Sequence, residues 1–303
     1  MIDRRIKVRH IQGFVEIVRL RSLKRAAEAL FVTQPAISKT LRELEDILGT
    51  PLLIRNRSGI SLTPQGEVFL HFAETSMAAL AQGIDGALRL ARGERPGFTV
   101  GALPSVAARL MPLVAEVFME RSDITLRIID GPHGYLTDLL KRGQIDVVIG
   151  RLGGTEAMKG TSFTQLYNEH LTFVVRPGHP LLDDPDIRRI ADWPVIYPPE
   201  TAAIRRLVDK VLLAHGVGAL PRRLETVSGA FGRRYVPRSD AVWIISAGVV
   251  ADEIASGQLA ALPFDTEISN GPVGLMTRAG ETPGPAEQLF RLAVSVAVDR
   301  LGL

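Results

Sequence analysis

The chain contains no cysteine in its 303 residues. That absence removes disulfides, thiolate nucleophiles and zinc–cysteine sites, and it is compatible with a reducing cytoplasm. No stretch approaches the roughly 20 consecutive apolar residues that a membrane span needs. The N-terminus, MIDRRIKVRHIQGFVEIVRL, has basic residues but not the apolar core of a secretory leader, because Glu16 and Arg19 interrupt the Ile11, Phe14, Val15, Val18 pattern. The expectation is a cytoplasmic protein with no membrane partner.

Catalytic signatures are missing as well. There is no G-x-S-x-G elbow, no G-x-x-x-x-G-K-[ST] phosphate loop and no G-x-G-x-x-G fingerprint. His10, His71, His133, His170, His179 and His215 are scattered, and none pairs with another at the three- or four-residue spacing that sets two ligands on one helix face. No catalytic residue, metal or cofactor is expected.

What is present is a chain of two-domain length with 46% apolar residues, enough for packed cores. Its net charge is only +3, yet residues 1–66 hold 12 Lys/Arg against 6 Asp/Glu, a balance of +6 that leaves −3 for residues 67–303. A basic head on a mildly acidic body points to nucleic acid at one end, ordinary solvated charge being the alternative.

The head has a docking pattern. An alanine-rich helix from Ser22 to Leu30 is followed by a short turn and a second helix opened by Thr33, Gln34 and Pro35. Thr33 is a candidate cap, and Pro35 is tolerated where first-turn amides lack intrahelical partners. Ile37, Leu41, Leu44 and Leu48 make one apolar face; Pro35, Lys39, Arg42 and Asp46 lie opposite, flanked by Gln34 and Ser38. A polar, basic first turn braced by a shorter helix suits insertion into a major groove. Leu52 to Leu62 then alternates apolar and polar residues around a turn-rich tip at Asn56 to Gly59, which predicts two short strands with Arg55 and Arg57 near phosphates.

Residues 1–66 resemble the winged helix-turn-helix of LysR-type transcriptional regulators. Ser22, Ala26, Ala27, Leu30, Gln34, Pro35, Ser38, Leu44, Glu45, Gly49, Leu52, Arg55, Leu62, Thr63 and Gly66 all fall on that family's signature. The resemblance implies an α/β chain with an N-terminal winged helix-turn-helix, a long linker helix and a periplasmic-binding-protein-like effector domain of two Rossmann-like subdomains. It implies double-stranded promoter DNA, RNA polymerase and further copies of the chain as partners, in a homodimer or homotetramer. The DNA-binding residues expected are Ser22, Thr33, Gln34, Pro35, Ser38, Lys39, Arg42, Arg55 and Arg57.

From Pro64 to about Arg92 no proline interrupts, and Phe69, Ala73, Met77, Leu80, Ile84, Leu88 and Ala91 recur every three or four residues. About 28 helical residues reach about 40 Å. Such a helix needs a partner for its stripe, either a second copy or its own globular body; the resemblance favours the copy. Gly93 to Gly97 reads as a hinge. The expected division is 1–62 for the head, 63–93 for the linker and 94–303 for the effector domain, the last split into 94–162 with 266–303 and an inserted 163–265.

Beyond the hinge, strands are predicted at Phe98–Leu103, Thr125–Ile129, Ile145–Gly150, Leu171–Val175, Ala241–Ile245 and Val273–Thr277, and helices at Ser105–Arg121, Tyr135–Lys141 and Pro285–Leu301. The alternation argues a parallel sheet. In such sheets ligands bind beyond the carboxyl ends of strands. Leu103-Pro104-Ser105-Val106 lies at such a junction, with Ser105 as a plain cap or a ligand contact, and Gly131-Pro132 is a floor or only a turn. Arg151 follows a buried run and needs a partner, either an anionic ligand or a protein acid such as Asp146 or Glu169. Thr201, Ser228, Arg233, Arg234 and Ser246 are candidates on the far lobe, each with capping or packing as its alternative. Together they suit a small carboxylate. ETVSGAFGRRY and RSDAVWIIS further resemble a subfamily that activates protocatechuate-degradation genes in response to a carboxylated muconate, and also regulators of sugar-binding-protein genes. A solute-binding or enzymatic α/β protein with assembly helices is the reading from another class; binding to upstream DNA separates them.

Overall fold

The computed structural model describes residues 3–56, 59–92 and 97–303. Two compact units make up the chain: Met1–Arg92 with Lys141–Gln144, and Gly93–Leu140 with Ile145–Leu303.

The first unit begins with three helices, α1 (Val8–Leu20), α2 (Leu23–Ala29) and α3 (Gln34–Leu48). Phe14 and Ile17 of α1, Ala26 and Ala27 of α2, and Ile37, Leu41 and Leu44 of α3 meet in one buried cluster. Each fully buried Phe, Ile or Leu of this kind contributes roughly 1.5–3 kcal/mol. The two alanines let α2 approach closely without contributing bulk. Strands β1 (Leu53–Asn56) and β2 (Gly59–Leu62) then pair antiparallel, Leu53 opposite Leu62 and Arg55 opposite Ile60, as the wing.

Helix α4 (Pro64–Ala91) follows over 28 residues, matching the expected length. Thr63 caps it, its Oγ1 accepting the Gly66 amide at 2.9 Å and donating to Pro51 O at 2.8 Å. Gly66 is required there, because a Cβ would fall 2.0 Å from the Leu52 carbonyl oxygen. The predicted stripe divides in two. Phe69 and Ala73 join the core of the head, Phe69 meeting Phe14 edge-on at 5.4 Å. Leu80, Ile84 and Leu88, with Phe72 and Val68, are exposed.

The second unit holds two lobes. Its elements run β3 (Gly97–Ala102), α5 (Pro104–Arg109), α6 (Met111–Arg121), β4 (Thr125–Asp130), α7 (His133–Lys141), β5 (Val147–Arg151), α8 (Thr155–Met158) and β6 (Thr161–Glu169). They continue with β7 (Leu171–Val175), β8 (Val195–Tyr197), α9 (Arg205–Ala214), β9 (Arg223–Glu225), α10 (Gly229–Tyr235), β10 (Val242–Ser246), α11 (Ala251–Ala255), β11 (Ala260–Ala261), β12 (Gly271–Arg278) and α12 (Pro285–Leu301). The first lobe's sheet has the order β4-β3-β5-β12-β6 and the second's β11-β7-β10-β8-β9. Phe98, Phe118 and Phe290 centre the first core, and Trp243 and Phe173 the second.

Three sequence expectations change here. The sheets are mixed: β3, β4 and β5 are parallel in one, and β8, β9 and β10 in the other, but β12, β6, β7 and β11 run antiparallel to their neighbours. The antiparallel strands are those flanking the passages between lobes, where the chain returns without a crossover helix. The expected helix Ser105–Arg121 breaks at Leu110 into α5 and α6, since Pro112 has no amide to continue the ladder. Finally, β6 pairs with β12 from Thr161 to Glu169, so the expected lobe boundary at 162/163 falls inside a strand of the first sheet.

Candidate nucleic-acid interface and interlobe cavity

In the head, α3 is capped by Thr33 as its sequence suggests, and Ser22, expected as the first residue of α2, is its cap. Ser22 Oγ accepts the Arg25 amide at 3.3 Å and Thr33 Oγ1 accepts the Ala36 amide at 3.4 Å, with Pro35 in the first turn. Because Ile37, Leu41 and Leu44 face the core, Gln34, Pro35, Lys39 and Arg42 are exposed on the other side and Ser38 is half-buried. Lys39 is 3.9 Å from Glu43, whose carboxylate also meets His10 at 3.2 Å and Arg9 at 3.6 Å. The hydrogen bond with His10, helped by Lys39 and Arg9, holds Glu43 below the ordinary carboxylate range, so the acid stays engaged with its own helices. Arg42 is exposed and has no acidic partner among the described residues. Of the wing cations, Arg57 lies outside the described residues; Arg55 has a described backbone in β1, but its side chain does not belong to the described part.

A feature the sequence reading missed holds helix and wing together. Glu45 Oε1 accepts the amides of Leu52 at 2.8 Å and Leu53 at 3.2 Å. One carboxylate on the inner side of α3 thereby fixes where the wing starts.

In the second unit, the carboxyl ends of the parallel strands converge on one cavity of about 620 Å³. From the first lobe it is lined by Leu103 to Ser105 after β3, Asp130 to His133 after β4, and Arg151 at the end of β5. From the second come Pro199 and Thr201 to Ile204 after β8, Thr226 to Ala230 after β9, Arg233, and Ile245 and Ser246 at the end of β10. Ser105, Gly131, Pro132, Arg151, Thr201, Ser228, Arg233 and Ser246 are therefore brought together. Val106 instead points into the first core, and Arg234, one residue round α10 from Arg233, is exposed away from the cavity. Asp130, His133 and Thr226 line it without having been singled out; their position at or just beyond strand ends was the available signal.

Several local roles differ from expectation. Ser105 does not cap α5; Leu103 holds that position, with Pro104 first in the helix, and the Ser105 hydroxyl donates to Glu169 Oε2 at 2.9 Å. Thr201 caps nothing, because residues 200–204 form turns and α9 starts only at Arg205. Ser228 does cap α10, accepting the Phe231 amide at 3.3 Å, and Thr226 Oγ1 accepts the Ser228 amide at 3.0 Å. Both hydroxyls accept from backbone, so their own O–H protons remain to donate.

The two arginines are partly committed. Arg151, 7% exposed, donates to Glu169 O at 2.8 Å and Ser269 O at 3.1 Å, and lies 3.7 Å from Glu169 Oε2. Its protein acid is thus Glu169; Asp146 instead accepts the Thr99 amide at 2.7 Å. Burial pulls the Arg151 pKa down and Glu169 opposes it, so the pair holds its charge where a lone guanidinium would be expensive. Arg233 bonds Glu253 at 2.6 Å through Nε and the Val249 carbonyl through Nη2.

Family models decide the class. Residues 8–67 match the bacterial regulatory helix-turn-helix of the lysR family, and residues 91–296 match the LysR substrate binding domain. The chain belongs to the LysR family. This LysR-type regulator is 45% identical to the HTH-type transcriptional regulator PcaQ of Agrobacterium fabrum, over 99% of this chain and 98% of that protein. It is 33% identical to the regulator YdcI of Escherichia coli K12, over 97% of this chain and 96% of the other. Among solved structures, full-length LysG of Corynebacterium glutamicum with bound effector Arg aligns with a TM-score of 0.55 at 18% identity, covering 97% of this chain and 99% of LysG. Full-length BenM aligns at 0.54 and 20% identity, covering 98% and 96%. These structures share the fold. No helix among the described residues is long and apolar enough to cross a membrane, and no cluster among them is set to hold a metal ion.

Proposed function

We propose that this regulator activates an operon for aromatic-acid catabolism, in the manner of the protocatechuate branch, when a small carboxylate binds the interlobe cavity. The observation that carries the reading is the 45% identity to PcaQ along almost the whole chain, with the cavity that bears two arginines and several hydroxyls beside it. Arg233, Thr226, Ser228 and Ser246 from one lobe, and Ser105 and Arg151 from the other, are the proposed effector contacts. A ligand touching both lobes binds one lobe arrangement better than another, and only that difference shifts an equilibrium.

On the DNA side, Gln34, Ser38, Lys39 and Arg42 are the proposed groove contacts. Ser22, Thr33 and Pro35 position the helices, and Arg55 and Arg57 meet flanking phosphates. The proposed division is 1–62 for the head, 63–93 for the linker, and 94–303 for the effector domain, acting on promoter DNA in the cytoplasm as a dimer or tetramer joined through α4.

The test is thermal shift of the full-length protein with muconate, carboxymuconate, protocatechuate, simple di- and tricarboxylates, and sugars. A ligand that binds only the folded state raises its melting temperature with concentration. A selective shift with an aromatic-pathway carboxylate, lost in Arg233→Ala, is expected. A shift with sugars alone overturns the effector reading and leaves the family membership untouched.

A further inference from the structure

Helix α2 ends in a Schellman closure. The Val32 amide donates to Ala27 O at 2.9 Å and the Phe31 amide to Glu28 O at 3.2 Å. This closure sets the residue after the cap in the left-handed region, where glycine, lacking a Cβ, is most readily placed. After α3 and α12 the need is met by Gly49 at φ 68° and Gly302 at φ 60°. After α2 the position holds Phe31, at φ 55°. Its ring gains nothing in exchange, since it is 97% exposed and outside the core of the head. An aromatic residue in strained backbone with its ring in water is unfavourable to folding on both counts, and residues held this way cluster at binding sites.

Phe31 lies two residues before Thr33, at the same end of α3 as the exposed Gln34 and Pro35. We propose that Phe31 is a sequence-reading residue that packs its ring on a thymine C5-methyl in the major groove beside the first turn of α3. This rests on the reading of α3 as the docking helix. The thymine methyl is the apolar group that base pairs present in that groove, and phenylalanine is among the side chains that contact it. The occupant is a duplex rather than a second copy: α2 and α3 expose four cations, Lys24, Arg25, Lys39 and Arg42, against two acids, Glu28 and Asp46, an excess that attracts phosphates, whereas self-pairing of these helices would bring like charges together.

The experiment measures affinity of the full-length protein for a duplex it selects from random sequence, over a range of salt. Phe31→Ala, Phe31→Asn and Gln34→Ala are compared with wild type, and the duplex is also made with uracil for thymine. Phe31→Ala is expected to weaken binding about fivefold to thirtyfold, the scale of one good base contact. Its salt dependence stays that of wild type, because no phosphate contact is removed. Uracil should weaken wild type by a similar factor and leave Phe31→Ala unaffected. Phe31→Asn should melt above wild type, since asparagine tolerates the left-handed conformation, while binding as weakly as Phe31→Ala. Wild-type affinity in Phe31→Ala, or equal uracil sensitivity in both proteins, overturns the proposal; so does a changed oligomeric state at unchanged affinity. If Gln34→Ala also binds normally, the docking-helix reading fails with it. If Gln34→Ala weakens binding and Phe31→Ala does not, only the role of Phe31 falls.

Discussion

The Ser105 hydroxyl donates to Oε2 of Glu169 at 2.9 Å, tying the first turn of α5 to the last residue of β6. The other oxygen of that carboxylate accepts the Gly248 amide at 3.1 Å, from the opposite lobe, and Arg151 lies 3.7 Å away. One buried acid therefore bridges the lobes beside the cavity and balances a buried cation. Glu169→Gln keeps the shape but removes the charge that Arg151 needs. Leaving a buried partner uncompensated costs about 3–5 kcal/mol when the pair is broken outright. With some hydrogen bonds retained, Glu169→Gln should destabilise the effector domain by about 2–4 kcal/mol in urea unfolding. A loss below about 0.5 kcal/mol, the range of an ordinary surface change, would show that the bridge contributes no stability.

Glu45 plays the corresponding part in the head. Both wing amides that it accepts, Leu52 and Leu53, have no other partner in the β1–β2 ladder at that corner. Hydrogen bonds to a charged acceptor contribute about 1.5–3 kcal/mol each, less what water recovers. Glu45→Ala should lower head stability by about 2 kcal/mol and weaken DNA binding through a displaced wing, while Glu45→Gln, which keeps an acceptor oxygen, should lose less than half as much. Thermal unfolding together with binding to a duplex checks both; equal effects from the two substitutions would mean that the acceptor is not what matters.

The head was largely legible in the sequence because its information is local. The cap at Thr33, the apolar face Ile37–Leu41–Leu44 and the length of α4 all follow from spacing within one helix. The cavity was legible as a set of strand ends, which is why eight proposed residues line it. What those residues do locally was not. Whether Ser105 caps α5 depends on Pro104 taking the first turn, and its hydroxyl's partner, Glu169, is 64 positions away. The placement of β6 in the first sheet depends on pairing with β12, a contact that no periodicity encodes. Glu45 was visible as a signature residue, but its bond to the wing amides is a tertiary fact. Spacing alone likewise leaves the Phe69–Ala73 portion of the α4 stripe open to a second copy or to the chain's own body; Phe14 of the same head covers it.

The remaining stripe of α4 gives a third prediction. Ile84 and Leu88 are 54% and 51% exposed one turn apart, and Leu80 precedes them by another turn at 43%. An amphipathic helix with such a seam is stabilised by laying it against a partner, each buried side chain contributing roughly 1.5–3 kcal/mol. Ile84→Asp with Leu88→Asp should weaken self-association at least about a hundredfold without lowering the stability of the second unit. Sedimentation velocity across a concentration series reads this directly. An unchanged association constant would assign the stripe some other role.

The last prediction concerns pH. His179 is fully buried; its Nδ1 accepts the Leu181 amide at 3.1 Å, and its Nε2 lies 3.3 Å from Asp240 O. An imidazole that accepts at Nδ1 and donates at Nε2 is neutral, and protonating it would set two N–H groups against each other at Leu181. Burial pushes the His179 pKa down, more than the carbonyl and carboxylate of Asp240 raise it, and Arg176 adds to the depression. The sign follows. In the unfolded chain the ring takes up its proton near pH 6.5, while in the folded protein it stays neutral to lower pH. Between the two, the unfolded state binds more protons, so stability is full above about pH 6.5 and is lost as pH falls below it. Asparagine can still accept the Leu181 amide but does not titrate. His179→Asn should melt lower at neutral pH, because the ring packed on Trp193 at 5.1 Å is gone, yet it should lose less on acidification from pH 7.5 to 5.5 than wild type does. Parallel melting curves for the two proteins across that range would show that His179 carries none of the acid sensitivity.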